Sequence, residues 1–191
     1  MNIFFYGGTF DPPHLGHEMI IKKLSPVCDK FIVLPAKQSP HKINKPISNA
    51  SQRIEMLRLL FDNCRFEIDD YEIKSRNKSY TYLTINYLKK KYENSLITMI
   101  VGEDQLINLH KWKHFNQFIK NINIICFNRG LQSKNIKKYT LSENIQFIDD
   151  FNYPFSSSDI RKSLKKIKDN SLSDMLNMKV LNYIKENNLY V

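Results

Sequence analysis

The sequence contains no apolar run near the roughly 18 residues that a membrane-spanning helix requires, so we expect no such helix. No charged region precedes its first apolar run, which glycine interrupts at residue 7, so we expect no signal peptide. Cysteine is scarce: Cys28, Cys64 and Cys126 lie far apart, are odd in number and form no Cys-x-x-Cys spacing. This pattern argues against a disulfide framework and a zinc site, and it predicts a reducing, cytoplasmic location.

Acidic residues are fewer than basic residues in this sequence. The chain has 29 lysines and arginines against 19 aspartates and glutamates, a net charge of +10. Such a surface attracts polyanions, and nucleic acid is the first candidate. However, the lysines are spread along the chain, and the densest groups, residues 89–91 and 162–168, fall on predicted helices where charges are usually solvated. We therefore expect no nucleic-acid partner and interpret the positive field as attraction for small phosphorylated molecules.

Segments of strand and helix character alternate along the chain. With 191 residues, 42% of them hydrophobic, the chain suits a single domain that buries a sizeable core. We predict strands near residues 2–6, 30–34, 65–68, 95–101, 122–127 and 144–148. The fourth of these is almost entirely apolar, as a central strand of a parallel sheet should be.

Capping residues mark where the helices begin. We predict helices from His14, after Ser48 or Asn49, and after Ser79 or Thr81. Residues 72–78 are polar and are predicted to be loop. A helical part over about residues 157–191 is predicted to pack on the same domain.

Residues 7–17 read Gly-Gly-Thr-Phe-Asp-Pro-Pro-His-Leu-Gly-His and follow the first predicted strand. Gly7 and Gly8 permit a tight turn and a close approach of backbone N–H groups to a ligand. Thr9 adds a hydroxyl, and the two prolines stiffen the exit. Residues 7–14, the first loop, join a strand end to a helix N-terminus, where unpaired N–H groups and the helix dipole favour an anion. The segment predicts a phosphate site.

Two histidines lie at the start of the helix that follows. His14 and His17 are three residues apart, so they share one helix face about 4.5 Å apart along the axis and can reach one phosphate group. Gly16 is expected to keep the surface low, so that a bulky ligand can lie across the first turn. The alternative is that each histidine only caps or packs. The convergence of two glycines, a threonine and two histidines favours the phosphate role.

The segment of residues 7–17 resembles the nucleotidylyltransferase signature, whose core is His-x-Gly-His. Its longer form resembles bacterial nicotinate-nucleotide adenylyltransferases. The resemblance implies a Rossmann-like, doubly wound α/β fold, with a mainly parallel sheet flanked by helices in a single domain. It implies transfer of the adenylyl group of ATP to nicotinate mononucleotide, giving deamido-NAD and diphosphate, with Mg²⁺ bound mainly through the ATP phosphates. No membrane partner is expected, and monomer and homodimer both remain open.

The same resemblance assigns roles to residues that match the family's motifs. The catalytic set is His14, His17, Lys42 and Arg161. The ATP-binding set is Gly7, Gly8, Thr9, Phe10, Gly102, Asp104, Ser156, Ser157 and Ser158. Lys42 lies in a segment similar to the family's Pro-Pro-His-Lys, with Ser39 in place of the first proline, and the role of His41 is left open. No protein metal ligand is assigned.

The substrate-binding set is Tyr80, Thr81, Trp112 and Arg129. The Ser-Tyr-Thr at residues 79–81 resembles the segment that contacts the nicotinate nucleotide, although a helix cap would also explain it. Trp112 follows a Gly-x-Asp at a spacing that resembles the family, in which an aromatic ring stacks on the pyridine, although a single tryptophan is more often a core residue. Arg129 matches an Arg-Pro-Gly whose proline is missing here.

Residues 155–161 read Phe-Ser-Ser-Ser-Asp-Ile-Arg, a serine cluster before an apolar-periodic run. This pattern predicts a helix N-terminus with free N–H donors for an anion. Arg161 is expected in the first turn, where a cation opposes the helix dipole unless a phosphate compensates, and this conflict points to function. The segment resembles the family's Ile-Ser-Ser-Thr-x-Ile-Arg, with Phe155 and Ser158 as mild departures.

Two other functions compete with this one. Pantetheine-phosphate or cytidylyl transfer would use the same chemistry, but those relatives usually carry a different first loop. A non-catalytic nucleic-acid-binding module would need basic residues interleaved with aromatics on one face, and it gives no reason for paired histidines beside Gly7 and Gly8.

Overall fold

Six parallel strands form the centre of the computed structural model. They are β1 (Asn2–Gly8), β2 (Lys30–Pro35), β3 (Glu67–Ile68), β4 (Leu96–Gly102), β5 (Asn123–Phe127) and β6 (Ile145–Ile148). They lie in the order β3-β2-β1-β4-β5-β6, and each neighbouring pair is parallel. This is the strand order of doubly wound Rossmann folds, so the predicted fold class is confirmed.

Eight α-helices are found among the residues that the structure describes, which are 1–40, 44–60, 65–127, 144–149, 151, 153–166 and 170–190. The helices are α1 (Leu15–Leu24), α2 (Ala50–Leu60), α3 (Tyr71–Lys74), α4 (Thr81–Lys91), α5 (Glu103–Leu106), α6 (Phe115–Phe118), α7 (Ser157–Leu164) and α8 (Met178–Glu186). Short 3₁₀ turns cover Ser25–Val27, Leu109–Lys111, Ile119–Asn121 and Asn170–Asp174. In the described part of the chain, no helix is long and apolar enough to cross a membrane.

The topological switch point lies between β1 and β4. β1 pairs with β2 on one side and with β4 on the other, so the chain turns outward in both directions from this place. Ligands of such sheets bind in the crevice beyond the carboxyl ends of the strands at the switch point. Here that crevice is bordered by Gly8, Pro35 and Gly102, the last residues of the three strands.

The strands bury side chains on both faces because helices cover both. Ile3 and Phe5 of β1 lie in one apolar cluster, together with Ile85 and Leu88 of α4. Tyr6 points to the opposite face, into a cluster built with α1, α2 and α8. Each fully buried apolar side chain of this size stabilises the fold by about 1.5–3 kcal/mol. The two clusters hold the switch-point strands rigidly beneath the crevice.

The short helices α3, α5 and α6 were not predicted, and α3 lies where a loop was expected. Residues 72–78 were expected to be loop, yet α3 spans Tyr71–Lys74. Long-range contacts stabilise this turn: the ring of Tyr71 stacks on Tyr87 with centroids 3.9 Å apart, and the carboxylate of Glu72 accepts a hydrogen bond from Thr84. Such contacts override a polar local sequence.

One predicted cap is wrong and another is confirmed. The residue before α4 is Tyr80, whose side chain makes no capping bond, so the prediction of Ser79 or Thr81 is wrong. The Ser79 hydroxyl instead accepts a hydrogen bond from the Lys37 N–H at 2.9 Å. At α2 the cap is Asn49, whose side chain accepts from the Gln52 N–H.

Cys28 and Cys126 are free thiols, and Cys64 lies outside the described residues.

Candidate active site

The first loop connects two of the best-packed elements. β1 ends at Gly8, His14 is the residue before α1, and the helix begins at Leu15. The structure therefore agrees with the predicted strand–loop–helix passage. Phe10 adopts a left-handed conformation with φ of 51°, which a non-glycine residue takes only when its surroundings demand it.

The two histidines are packed against each other. Their ring centroids are 3.6 Å apart, and the exposed fractions are 1% for His14 and 8% for His17. The His14 N–H donates to Nδ1 of His17 at 3.1 Å, so in the neutral imidazole of His17 the proton sits on Nε2. The ring of Tyr153 stacks on that of His14, with the centroids 5.0 Å apart and an angle of 11° between the ring planes. Both rings are thus fixed, and His17 is set up as an Nε2–H donor.

Gly16 acts differently from the prediction, and the ring of Phe10 is buried. A Cβ on Gly16 would lie 2.3 Å from the ring of Tyr153, so the absent side chain makes room for Tyr153 and not for a bulky ligand. The side chain of Phe10 is only 2% exposed and packs on Tyr6 and His17, so its ring belongs to the core and only its backbone borders the loop surface.

A cavity at the switch point brings part of the predicted ATP-binding set and most of the substrate-binding set together. The described residues of the predicted sets that do not line it are Phe10, His14, Gly102, Asp104, His17, Arg161 and residues 156–158. Gly7, Gly8 and Thr9 line one side of it, and Tyr80, Thr81 and Trp112 line another. A Cβ on Gly7 would have no atom within 4 Å, so the backbone there faces open space. Trp112 is partly buried and contributes to the cavity wall, which leaves part of its ring accessible to a flat ligand.

Sequence reasoning missed further lining residues, among them Glu72, Gln105 and Lys113. The ammonium of Lys113 lies 5.2 Å from the ring centre of Tyr80 and 5.9 Å from that of Tyr82, a cation–π arrangement that holds it at the rim. Among the described residues that line the cavity, Lys113 is the one cation. Its place directly after Trp112 was the signal that could have revealed it.

Glu72 is a buried carboxyl in the cavity wall. Oε1 accepts from the Thr84 hydroxyl at 2.6 Å. Burial raises the pKa of Glu72, while hydrogen bonds from the hydroxyls of Thr84 and Ser79 act in the opposite direction. No local sequence signal marks this residue, because α3 forms only through long-range contacts.

The start of α7 lies against the first loop, as its serine cluster suggested. Ser156 and Asp159 form a reciprocal capping box, in which Oδ2 of Asp159 accepts from the Ser156 N–H at 3.0 Å and from its hydroxyl at 2.6 Å. These hydrogen bonds lower the pKa of Asp159, the hydroxyl contributing most. The Ser157 hydroxyl donates to the Pro12 carbonyl at 2.9 Å. The helix N-terminus is thereby tied to the loop.

Arg161 is not where it was expected. It is the fifth residue of α7 and lies in its last turn, where a cation suits the helix dipole, so the predicted electrostatic conflict is wrong. Its guanidinium nevertheless reaches the first loop: Nη1 donates to the Asp11 carbonyl at 2.5 Å and Nη2 to the Ser158 hydroxyl at 3.1 Å.

The remaining predicted residues divide into two groups. Gly102 ends β4 and precedes α5, and Asp104 is exposed in the first turn of that helix. Lys42, His41 and Arg129 lie outside the described residues. Within the described ranges, no group of three or more histidine, cysteine, aspartate or glutamate side chains is placed to hold a metal ion.

Comparison with known proteins identifies the family. A model of the cytidylyltransferase-like family matches residues 5–163. A protein of Clostridium acetobutylicum named "Probable nicotinate-nucleotide adenylyltransferase" is 36% identical over 199 residues, covering 97% of this chain and 97% of that one. A protein of the same name from Hydrogenobaculum sp. is 35% identical over 195 residues, covering 100% and 98%. The chain belongs to the nicotinate-nucleotide adenylyltransferase family.

A solved structure supports the architecture of this adenylyltransferase family member. Plasmodium falciparum nicotinic acid mononucleotide adenylyltransferase, complexed with NaAD, matches with a TM-score of 0.84 and 24% identity, covering 99% of this chain and 97% of that one. At this level of identity the likeness shows a shared fold. The family resemblance that residues 7–17 carried is confirmed.

Glu72 gives the adenylyltransferase a pH-dependent stability. Because burial raises its folded-state pKa, the folded protein holds this proton more tightly than the unfolded chain. The free energy of unfolding should therefore fall as pH rises from the ordinary value of 4.5 through the folded-state pKa. Glu72→Gln keeps an acceptor for Thr84 and stays neutral. We expect it to be more stable than the unaltered protein near neutral pH, and no more stable at about pH 4.

Urea unfolding at the two pH values measures this difference. Glu93→Gln, at an exposed position outside the helices, is the control and should show no comparable gain at neutral pH. A Glu72→Gln protein with no relative gain at neutral pH would contradict the assigned effect of burial.

Proposed function

We propose that this protein transfers the adenylyl group of ATP to nicotinate mononucleotide, forming deamido-NAD and diphosphate. The observation that carries the proposal is the cavity at the switch point, which Gly7, Gly8 and Thr9 of the first loop line together with Tyr80, Thr81 and Trp112. We interpret the first group as a phosphate-binding wall and the second as a wall for a flat, polar acceptor. The names of the relatives support the same reaction.

The acceptor is proposed to bind on the Trp112 side of the cavity. A pyridine ring stacks favourably on an indole, and the Thr81 hydroxyl and backbone offer hydrogen bonds to the ring substituent. Lys113, at the rim beside Tyr80, favours a carboxylate over a neutral carboxamide because only the acid carries charge. Arg129 is proposed as a further acceptor contact.

ATP is proposed to bind along the first loop. Backbone N–H groups of Gly7, Gly8 and Thr9 would face its phosphates, with Phe10 contributing only backbone. Residues 156–158 at the start of α7 and Gly102 at the end of β4 complete the donor side, and Asp104 would bind a ribose hydroxyl or a phosphate-bound cation.

The reaction needs positioning and charge stabilisation more than covalent chemistry from the protein. An oxygen of the mononucleotide phosphate bonds to the α-phosphorus of ATP. The bond from that phosphorus to the oxygen bridging to the β-phosphate breaks, and its electron pair leaves with diphosphate. His14 and His17 are proposed to donate hydrogen bonds to the charge that grows on the α/β region, and Lys42 and Arg161 to hold the departing diphosphate.

Mg²⁺ is proposed as the metal that accompanies ATP. Protein sites for Mg²⁺ commonly supply only one or two carboxylates, the rest of the shell being phosphate oxygens and water. Exposed Asp104, in the first turn of α5 beside the crevice, fits this donor set. When bound, the ion neutralises phosphate charge.

The proposed reaction predicts diphosphate release from ATP with nicotinate mononucleotide, and much slower release with nicotinamide mononucleotide. Both acceptors are offered in parallel with Mg²⁺, and the coupled release of diphosphate is measured. Equal rates would contradict the role of the carboxylate. Turnover of neither would contradict the proposed acceptor, and pantetheine phosphate would then be offered.

His17→Ala is expected to lower kcat by about 10²–10³ without unfolding the protein, because it removes one preorganised donor to the transition-state charge. Steady-state kinetics and the midpoint of thermal unfolding are measured together. His110→Ala, at an exposed histidine outside the cavity lining, is the control and should keep its activity. A folded His17→Ala protein with most of its activity would contradict the mechanism.

A further inference from the structure

Asp11 lies in the first loop and has no role in the proposed chemistry, yet it is only 3% exposed. Its Oδ1 accepts from the Ser48 N–H at 3.1 Å, and its Oδ2 accepts from the Ile47 N–H at 2.7 Å. The third donor is the hydroxyl of Tyr190, 2.7 Å from Oδ1. We call Asp11 with these three donors the Asp11 anchor. A buried carboxylate requires such partners, because burying an unpaired charge is strongly unfavourable.

Tyr190 reaches Asp11 from the far end of the sequence. It follows α8, is 4% exposed and has a left-handed backbone with φ of 66°. Burial raises the pKa of Tyr190, so the hydroxyl keeps its proton and stays a donor. The preceding Leu189 N–H bonds to the Ile184 carbonyl of α8 at 3.0 Å, and α8 packs on α2. The position of the Tyr190 side chain is therefore fixed by the packing of α8 on α2.

Arg53 of α2 holds the other side of the loop. It is 2% exposed, and its Nη1 donates to the carbonyls of Thr9 and Ala36, both at 2.7 Å. Burial lowers the pKa of Arg53, and the nearby Asp11 carboxylate opposes this effect. The loop is thus fixed from two sides before residue 12.

Only Pro12 and Pro13 separate the Asp11 anchor from His14. Proline restricts φ to a narrow range, so a displacement of Asp11 is passed on to His14 instead of being absorbed in the backbone. His14 in turn donates its N–H to Nδ1 of His17, so the position of one ring is linked to that of the other.

We propose that Tyr190 is a positioning residue for adenylyl transfer, which acts through Asp11 to set His14 and His17 against the ATP phosphates. The inference rests on the proposed function, because it assumes that these histidines act on ATP. The acceptor segments with Tyr80 and Trp112 lie on other elements, so the loss of the Tyr190 hydroxyl should leave acceptor binding unchanged.

The test is Tyr190→Phe, which keeps the ring and removes one hydrogen bond to a charged group. We expect kcat to fall about tenfold, since small displacements of catalytic groups have large effects on rate. The KM for nicotinate mononucleotide should stay within about twofold. Because Trp112 is the one tryptophan of the chain, its fluorescence reports acceptor binding independently of turnover.

A double-mutant cycle separates positioning from general stability. If Tyr190 acts through Asp11, then Tyr190→Phe should have less than about a twofold further effect on kcat in an Asp11→Ala background, which has no side-chain acceptor for the Tyr190 hydroxyl. Tyr183→Phe, at a partly buried tyrosine of α8, is the matched control and should leave kcat unchanged. If Tyr190→Phe does not fold, Asp11→Ala removes the same contact and should give the same split between kcat and KM.

The outcomes are distinguishable. An unaltered protein that turns over no acceptor overturns the proposed function. If the unaltered protein is active, two results overturn the positioning role alone. One is a kcat of Tyr190→Phe within twofold of the unaltered value, and the other is a full additive loss of kcat in the Asp11→Ala background. Equal changes in kcat and acceptor KM would also overturn it, because they indicate a disturbance that is not confined to the first loop.

Discussion

The buried carboxylate of Asp11 must keep its hydrogen bonds for the first loop to hold its shape. The loop leaves the sheet at the switch point, where no neighbouring strand can pair with it, so its backbone depends on side chains from distant parts of the chain. Asp11 takes donors from the segment before α2 and from Tyr190, while Arg53 and Arg161 bind loop carbonyls. The helices that these side chains belong to are packed on the same core cluster as α1. Stability and site geometry therefore depend on the same contacts.

This arrangement explains how a small, mostly apolar sheet can support phosphate chemistry. The histidines are buried and oriented by neighbours instead of being free on the surface, so little reorganisation is needed when charge develops on ATP. The proposed acceptor side is formed by other elements, namely α4 and the segment that carries Trp112, and both sides border the cavity at the switch point.

The features that could be predicted from the sequence are those that depend on residues close together in the chain. The period of apolar residues predicted the strands, and glycines followed by a helix start predicted the first loop. The misjudged positions depend on partners far away in sequence: Gly16 makes room for Tyr153, Glu72 is buried by contacts with α4, and Arg161 reaches back to the loop carbonyl. Lys113 was missed because a single lysine forms no pattern of its own, and only its place directly after Trp112 pointed to the cavity. The family resemblance predicted several residues that line the cavity, among them Thr9, Thr81 and Trp112, but not how each one is held.

In the proposed mechanism the protein positions two nucleotides for direct displacement and forms no covalent bond to either. The most direct test is the stereochemistry at the α-phosphorus, measured with ATP that is chiral at that atom through sulfur substitution, followed by analysis of the configuration in the dinucleotide product. A single in-line attack inverts the configuration at the α-phosphorus, so inversion is the expected result. Retention would mean two successive displacements through an adenylylated side chain, with His14 or His17 as the first suspects, and it would contradict the account.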